Sequence, residues 1–406
     1  MISRWRWVAL LLWASFLSPF CARGQIDPVR RDLVQFGFNT AVEGHPPPGA
    51  YAFYYRNQPE FLRTNLTLRL AVSPTYLDSE LGISKALGEL TDIGVGLAGG
   101  GFADDYVDIR QGQYRPLESF DGFGGEISSS LYHLFNPDQL IPLNGVLRGV
   151  AHFSTFAPTS DTDPNFKVPD DMGMFRVRAG LRWGGREPVL FPALAMELSV
   201  WYQGEFRTRT DAYGYNNDRS ISGYPQLFWG EAFLAYTITN SPHSFFVSLT
   251  AGTSMDADQL SAYRLGGYLP LVSEFPLSLP GYFYQEFSAR NFFLAGGDYT
   301  LALDQRHRWN VSALAATAVV DYLPGFEQPG NWLSGVGGGV FYTTPTWRVM
   351  IGYGYGIDAI RSHGHGASNI GFLLQFDLAP ARAAYVKPVP PGYWGGLERF
   401  FRVFGS

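Results

Sequence analysis

Cysteine is almost absent. Cys21 is the only one in 406 residues, so no disulfide framework holds this fold. Lysine is scarce as well: Lys85, Lys167 and Lys387 are the only three among 30 basic residues. Charged residues make up 16%, against about 25% in soluble domains. A net charge of −6 argues against a nucleic-acid partner, which needs a basic surface. The runs of roughly 20 apolar residues that a spanning helix requires are missing too, in line with a mean hydropathy of −0.05. Disorder is excluded by an aromatic content of 16% combined with the low charge. What is there is glycine, 47 residues, with 32 Phe, 23 Tyr and 10 Trp. Large β-proteins have that composition. Transmembrane β-barrels, which alternate apolar and polar residues, fit it best.

The first 24 residues read as an export signal. Arg4 and Arg6 form a basic start, Val8 to Phe20 an apolar stretch too short to span a membrane, and Ala22-Arg23-Gly24 a small-x-small cleavage site. Phe20 before Cys21 does not suit a lipoprotein signal. The chain left after cleavage has no cysteine, which suits passage across the periplasm unfolded. Residues 379–406 read as a tail. Pro388, Pro390 and Pro391 keep its first part out of a sheet interior. Leu397, Phe400, Phe401 and Phe404 then fall at helical spacing opposite Glu398, Arg399 and Arg402. That is the pattern of a short amphipathic helix, lying on a membrane surface or against a barrel mouth.

Between the ends, two-residue alternation recurs. Phe175, Val177, Ala179, Leu181 and Trp183 share one face, with Arg176, Arg178 and Arg182 on the other. Leu194, Met196, Leu198, Val200 and Tyr202 oppose Glu197, Ser199, Gln203, Glu205 and Arg207. Leu147, Gly149, Ala151 and Phe153 oppose Arg148, His152 and Ser154, and Phe228, Ala232, Leu234 and Tyr236 oppose Glu231. Each segment is a strand with one oily and one polar wall. Periodicity alone does not separate a soluble sandwich from a membrane barrel. Connection lengths do. Strands are expected over 50–57, 64–83, 91–103, 121–135, 143–157, 173–184, 193–208, 225–239, 243–255, 289–304, 307–322, 332–345, 346–360 and 367–378. The gaps alternate between short ones, such as 136–142 and 240–242, and long polar ones, such as 103–120, 157–173, 208–224 and 256–288. Outer-membrane barrels sort their connections in this way, with short periplasmic turns and long external loops. A sandwich has no reason to.

The expected fold is therefore all-β: a transmembrane, antiparallel, up-and-down barrel of about 14 strands, with 12 and 16 as the alternatives. The expected organisation is a signal (1–24), a periplasmic N-terminal segment (25–49), the barrel (50–378) and the Pro-rich tail (379–406). Val34 to Val42 also alternates. As a fifteenth spanning strand it would put the N-terminus outside, so it is placed in the periplasm or inside the barrel. Trp183, Trp201, Trp229, Trp309, Trp332 and Trp347 sit near strand ends, where an interfacial girdle is expected.

Several groups invite chemistry without supporting it. His363-Gly364-His365 has no converging ligands. Asp161-Thr162-Asp163 and Asp170-Asp171 could bind Ca²⁺ but read more simply as solvated loop. Ser130 and His133 would point to opposite faces of a strand, and no Gly-x-Ser-x-Gly elbow is present. Gly99 to Gly101 and Gly337 to Gly339 lack the Lys-Ser/Thr of a phosphate loop; glycines here mark bends or the close packing of an inserted loop. The set with the most functional character is the polar wall of Arg148, Arg176, Arg178, Arg182, Glu197, Glu205 and Glu231. In a lumen these residues either stiffen the barrel as salt bridges or select solutes by charge. No catalytic residues, cofactor or metal are expected.

From Ala262 onward the sequence resembles a known family. Tyr263-Arg264-Leu265-Gly266-Gly267 is similar to the Arg-x-Gly-Gly segment in the longest external loop of the bacterial surface antigen or BamA/TamA superfamily of outer-membrane insertases and translocases. Leu279-Pro280-Gly281-Tyr282 stands where that family has Arg-Gly-Tyr. Asp298-Tyr299-Thr300-Leu301, Val319-Val320-Asp321, Gly335 to Val340, Tyr353 to Asp358 and Gly371 to Phe376 resemble successive strands after the loop. The resemblance implies a loop folded into the lumen, carried by Arg264, Gly266, Gly267, Gly281, Tyr282 and Arg290. Two departures stand out. The sequence ahead of the first expected strand leaves no room for POTRA repeats. Pro280 replaces the loop arginine that, in the family, reaches an acidic partner inside the barrel. Arg264 or Arg290, pairing with Asp298 or Asp321, is the expected substitute. The resemblance points to outer-membrane assembly or translocation, with the lipid bilayer and the barrel-assembly machinery or a separate periplasmic protein as partners. A passive or ligand-selective pore, or a purely structural barrel, is the alternative.

Overall fold

The computed structural model describes residues 30–139, 141–184, 194–238, 241–268, 275–362 and 364–378. The expected export signal over 1–24, Cys21 and the expected tail over 379–406 lie outside the described residues. Sixteen antiparallel strands form the wall. They are β1 (Arg31–Ala41), β2 (Gly49–Pro59), β3 (Leu66–Val72), β4 (Tyr76–Ile83), β5 (Thr91–Gly100), β6 (Phe120–Leu134), β7 (Leu143–Pro158), β8 (Met172–Gly184), β9 (Leu194–Arg207), β10 (Gln226–Thr237), β11 (His243–Met255), β12 (Phe287–Ala302), β13 (Trp309–Tyr322), β14 (Trp332–Thr343), β15 (Trp347–Arg361) and β16 (Gly364–Asp377). Each pairs with its neighbour in sequence. β16 pairs back onto β1 from Leu33↔Asp377 to Ala41↔Asn369. Closure leaves no strand edge unpaired, which the hydrocarbon of a bilayer demands.

The two strands beyond the expected 14 come from the N-terminal quarter. Val34 to Val42 belongs to β1 and is part of the wall, neither periplasmic nor an addition inside, so residues 25–49 include a spanning strand. The single strand expected over 64–83 is two, β3 and β4. A tight turn at Ser73-Pro74-Thr75 splits it, with Pro in the second position that fixes the turn's φ and the Ser73 amide donating to Tyr76 O at 2.7 Å. One omission and one merger cancel in parity. Every later loop therefore keeps its side: 101–119, 159–171, 208–225 and 256–286 are at one end, together with the tight 73–75 turn, and 84–90, 303–308 and 344–346 are at the other.

Exposure decides between sandwich and membrane barrel. Along β9, Val200 is 57% exposed and Ser199 2%. Leu147, Phe153, Phe175, Leu181 and Leu198 are exposed, while Ser128, Ser130, Ser154, Glu197 and Glu205 are buried. A soluble sheet hides the oily face. This one turns it outward around the whole wall and keeps its polar groups within, so the solvent of the outer face is lipid. Trp183, Trp309 and Trp332 are exposed on that face, as an interfacial girdle requires. Trp201 and Trp229 are not: both are buried in the lumen, their rings stacked with centroids 6.3 Å apart.

Candidate functional site: a lumen loop and a charged wall

A 16-stranded barrel is wide enough to leave an aqueous channel. Here the 256–286 loop enters it. Tyr263–Leu265 adds a short strand against the start of β12, pairing Tyr263↔Ala289 and Leu265↔Phe287. The chain then descends to Tyr268, whose hydroxyl donates to Gly338 O at 2.9 Å. It returns past Phe275, which packs on Trp201 and Trp229 at 5.3 and 5.2 Å. Gly266 and Gly267 let the two arms touch: the Gly266 amide donates to Leu277 O at 2.9 Å, and Gly267 bridges Leu279.

The loop lies on bare wall. Gly335, Gly337 and Gly339 on β14 and Gly352, Gly354 and Gly356 on β15 face it. A methyl group at Gly352 would overlap the Tyr268 hydroxyl, one at Gly335 would overlap Pro280 O, and one at Gly354 would come within 2.8 Å of Gly281 N. Gly281 itself has φ +86, and any side chain there would enter the β15 backbone at Gly356, so only glycine fits. Tyr282 is fully buried and donates to Ser334 O at 3.0 Å. Asn369 on β16 clamps the same turn, accepting from Gly281 N at 3.1 Å and donating to Tyr282 O at 2.9 Å. Burial pushes the Tyr268 and Tyr282 hydroxyls well above the usual phenol range, which keeps both as donors.

The ionic anchor of the loop is Glu286 with Arg361. Arg361 Nη1 and Nη2 reach the two carboxylate oxygens at 2.8 and 3.0 Å, and both side chains are buried. Glu286 Oε2 also accepts from Phe283 N at 2.8 Å, and the guanidinium lies 3.6 Å from the centre of the Phe283 ring. A bidentate pair of this kind fixes direction as well as distance. The loop therefore carries the acid and the wall the arginine, the reverse of the polarity that the family resemblance implies.

The expected substitutes are placed elsewhere. Arg264 stays with the loop but meets no acid: it donates to Val107 O at 2.8 Å and Gln285 O at 2.9 Å and stacks over Tyr106. Arg290 does pair with Asp321, at 3.2 Å, but both are about half exposed. A register shift between Ala289 and Asn291 turns Arg290 away from the lumen. Asp298 lies far down β12, accepting from Thr300 at 2.9 Å. Neither Glu286 nor Arg361 stood out in sequence. Each is a single charge, one beside the Gly281-Tyr282 element and one ending the penultimate strand, with 75 positions between them.

Across the lumen lies the charged wall. Arg176 Nε donates to Glu205 at 3.0 Å and Arg207 Nη2 to the same carboxylate at 2.9 Å. Arg207 Nη1 reaches Asp258 of the long loop at 2.6 Å. Arg178 donates to Gln203 at 2.8 Å and lies over the Trp229 ring. Arg148 donates to Ser128 at 3.0 Å and meets Glu126 at 3.5 Å. His152 sits between Asp104 of the 101–119 loop at 2.9 Å and Glu126 at 3.2 Å. Glu197 and Ser199 are buried on the same face as Glu205. Arg182 and Glu231 share the lumen parity of Arg178 and Trp229 on their strands.

Above both walls the external loops form a lid. Tyr106, Phe120, Phe166, Tyr213, Ile221 and Phe326 pack together. Arg219 bridges Asp108 (3.1 Å) and Glu118, and lies over Phe166. The aspartates considered for Ca²⁺ serve turns instead: Asp163 accepts from Asn165 N, and Asp171 from Phe156 N. Ser130 is buried on the lumen side and His133 faces outward. His363 lies outside the described residues. Among the described residues no group of three or more His, Cys, Asp or Glu is placed to hold a metal ion.

No protein-family model and no curated protein matches the sequence. Solved structures match the fold. CdiB from Escherichia coli has a TM-score of 0.55 at 12% identity, over 85% of this chain and 63% of that one. CdiB from Acinetobacter baumannii has 0.52 at 11%, over 86% and 60%. BamA from Haemophilus ducreyi lacking POTRA domains 1-3 has 0.52 at 10%, over 85% and 70%. The chain thus spans about six-tenths of the length of the CdiB proteins. At these identities the likeness is one of fold. With the oily outer face it identifies a β-barrel of the outer membrane of a diderm bacterium.

Proposed function

We propose that this barrel acts in outer-membrane protein assembly or translocation, with its lumen loop as the working element and a separate periplasmic protein supplying substrate capture. The observation that carries the reading is the buried Glu286–Arg361 pair, which holds Gly281 and Tyr282 on the glycine wall of β14 and β15. Anchoring a loop at this depth takes a buried ion pair, whose desolvation is costly. The role is non-catalytic and uses no cofactor. A ligand-selective pore is the second reading, favoured by the charged lumen wall around Arg176 and Glu205.

The test is folding of an unrelated outer-membrane barrel into liposomes. Vesicles holding this protein are expected to speed that folding over empty vesicles, and Glu286→Gln is expected to remove the gain. Equal rates with and without the protein, with and without periplasmic extract, end the assembly reading.

A further inference from the structure

On the outer face, a groove of about 530 Å³ runs across β6 to β10. It starts at the periplasmic rim, at His133 and Phe135, and ends near Phe228. It exists because the wall is bare there: the outward Gly145 and Ala179 form its floor between the larger Leu147, Leu181 and Val200. Gly180 has no room for a side chain, since a methyl group would overlap the Trp201 ring packed behind it. The lining is mostly apolar, with Tyr202 at the external end and His133 at the periplasmic end. There His133 faces outward, its Nδ1 2.8 Å from Thr91 Oγ1 and its ring edge-on to Phe135 at 4.7 Å. In the tautomer where Nδ1 accepts from the Thr91 hydroxyl, Nε2 carries the proton and is the donor left for a ligand. An imidazole turned toward lipid is costly in hydrocarbon. At the periplasmic end of β6 it stands at the level of the headgroups, where polar ring edges are favoured.

We propose that this groove binds one phospholipid of the periplasmic leaflet, with an acyl chain along Leu147, Ala179, Leu181 and Val200 and the phosphate accepting a hydrogen bond from His133 Nε2. Two features select this occupant. The groove opens into the hydrocarbon, so an acyl chain fills it without desolvation. At its periplasmic end the polar side chain, His133, lies where a phosphate stands.

The experiment titrates palmitoyl-oleoyl phosphatidylethanolamine into delipidated barrel and reads bound lipid by native mass spectrometry. One lipid is expected to bind ahead of the rest. His133→Ala should weaken that step about tenfold, the loss of a hydrogen bond to a charged group. Ala179→Phe, which fills the groove, should abolish it, and Leu147→Phe serves the same purpose should Ala179→Phe fail to fold. A diacylglycerol with the same chains should bind wild type no better than phosphatidylethanolamine binds His133→Ala. Equal binding by wild type and Ala179→Phe overturns the site. Equal binding of diacylglycerol and phospholipid overturns the phosphate contact. Inorganic phosphate binding alone, without lipid preference, overturns the acyl chain.

Discussion

The lumen has two unlike walls. On β6 to β9 the inward positions carry long charged side chains that fill space and bind one another, as in Arg176–Glu205–Arg207. On β14 and β15 the middle inward positions are glycine, and the space is filled by a loop from elsewhere in the chain. The first wall is self-sufficient: remove one member and the others remain partnered. The second is complete only with the loop in place; there the loop is held by the buried Glu286–Arg361 pair and a few close approaches, while Asp258 ties its outer end to Arg207 of the first wall. Cooperative filling by side chains makes a stiff wall. Filling by a tethered segment makes one that can change state.

That contrast can be broken most strongly at the anchor. Glu286→Gln leaves Arg361 buried without its counter-charge, with an expected cost of about 3–5 kcal/mol. Unfolding in detergent, followed by the heat-dependent gel shift of a barrel, should show it. The Glu286→Gln/Arg361→Gln double variant should recover much of the loss, and no recovery would mean the pair is not the anchor. Next in size is Gly352→Val, which forces the Tyr268 hydroxyl off the wall and should cost up to about 3 kcal/mol as overpacking. Limited proteolysis should then cut within 256–286, a site the wild type protects.

On the charged wall the same kind of change should do less. Arg176→Gln leaves Glu205 with Arg207 at 2.9 Å and Gln203 at 3.1 Å, so about 2 kcal/mol is expected, with no change in loop protection. A larger loss than that of Glu286→Gln would reverse the ranking of the two walls.

The smallest effect concerns the external lid. Partial burial pushes the Asp105 carboxyl up to about 6, nearby Asp121 and Asp104 push the same way, and the Gly122 amide pulls back. The residue is exposed on its other side, so the effect is modest. A carboxyl raised above its ordinary value, near 3.9, adds stability that is fully present below that value and lost as pH rises through about 6. Hydrogen exchange of 101–119, corrected for intrinsic rate, should therefore slow as pH falls from 7 toward 4. Asp105→Asn should flatten the trend, and an unchanged slope in that variant would remove Asp105 as its source.

Much of the first wall was legible in sequence, because alternation of Arg and Glu with Phe, Leu and Val fixes both strand and facing. The second wall was half legible. The run Gly337 to Gly339 marked a bend or the close packing of an inserted loop, and by resemblance the Gly266-Gly267 and Gly281-Tyr282 elements marked the loop. The anchor was not legible, because a pair between a loop and a strand end has no periodicity, and its polarity is swapped relative to the resemblance. The N-terminal strands were misjudged for a related reason. The turn at Ser73-Pro74-Thr75 is short and flanked on both sides by alternating residues, so its one break signal, Pro74, was passed over. Trp201 and Trp229 were misplaced because an aromatic beside a strand end suits an interface, and only the inserted Phe275 gives them a partner inside.

The central claim is that the 256–286 loop occupies the lumen and closes it. Single-barrel conductance in planar bilayers tests this directly, comparing wild type with a variant in which residues 259–284 are replaced by a short Gly-Ser linker. Wild type is expected to be closed or weakly conducting, and the variant to open in large steady steps. A wild type that already conducts as steadily and as strongly as the variant would contradict the account.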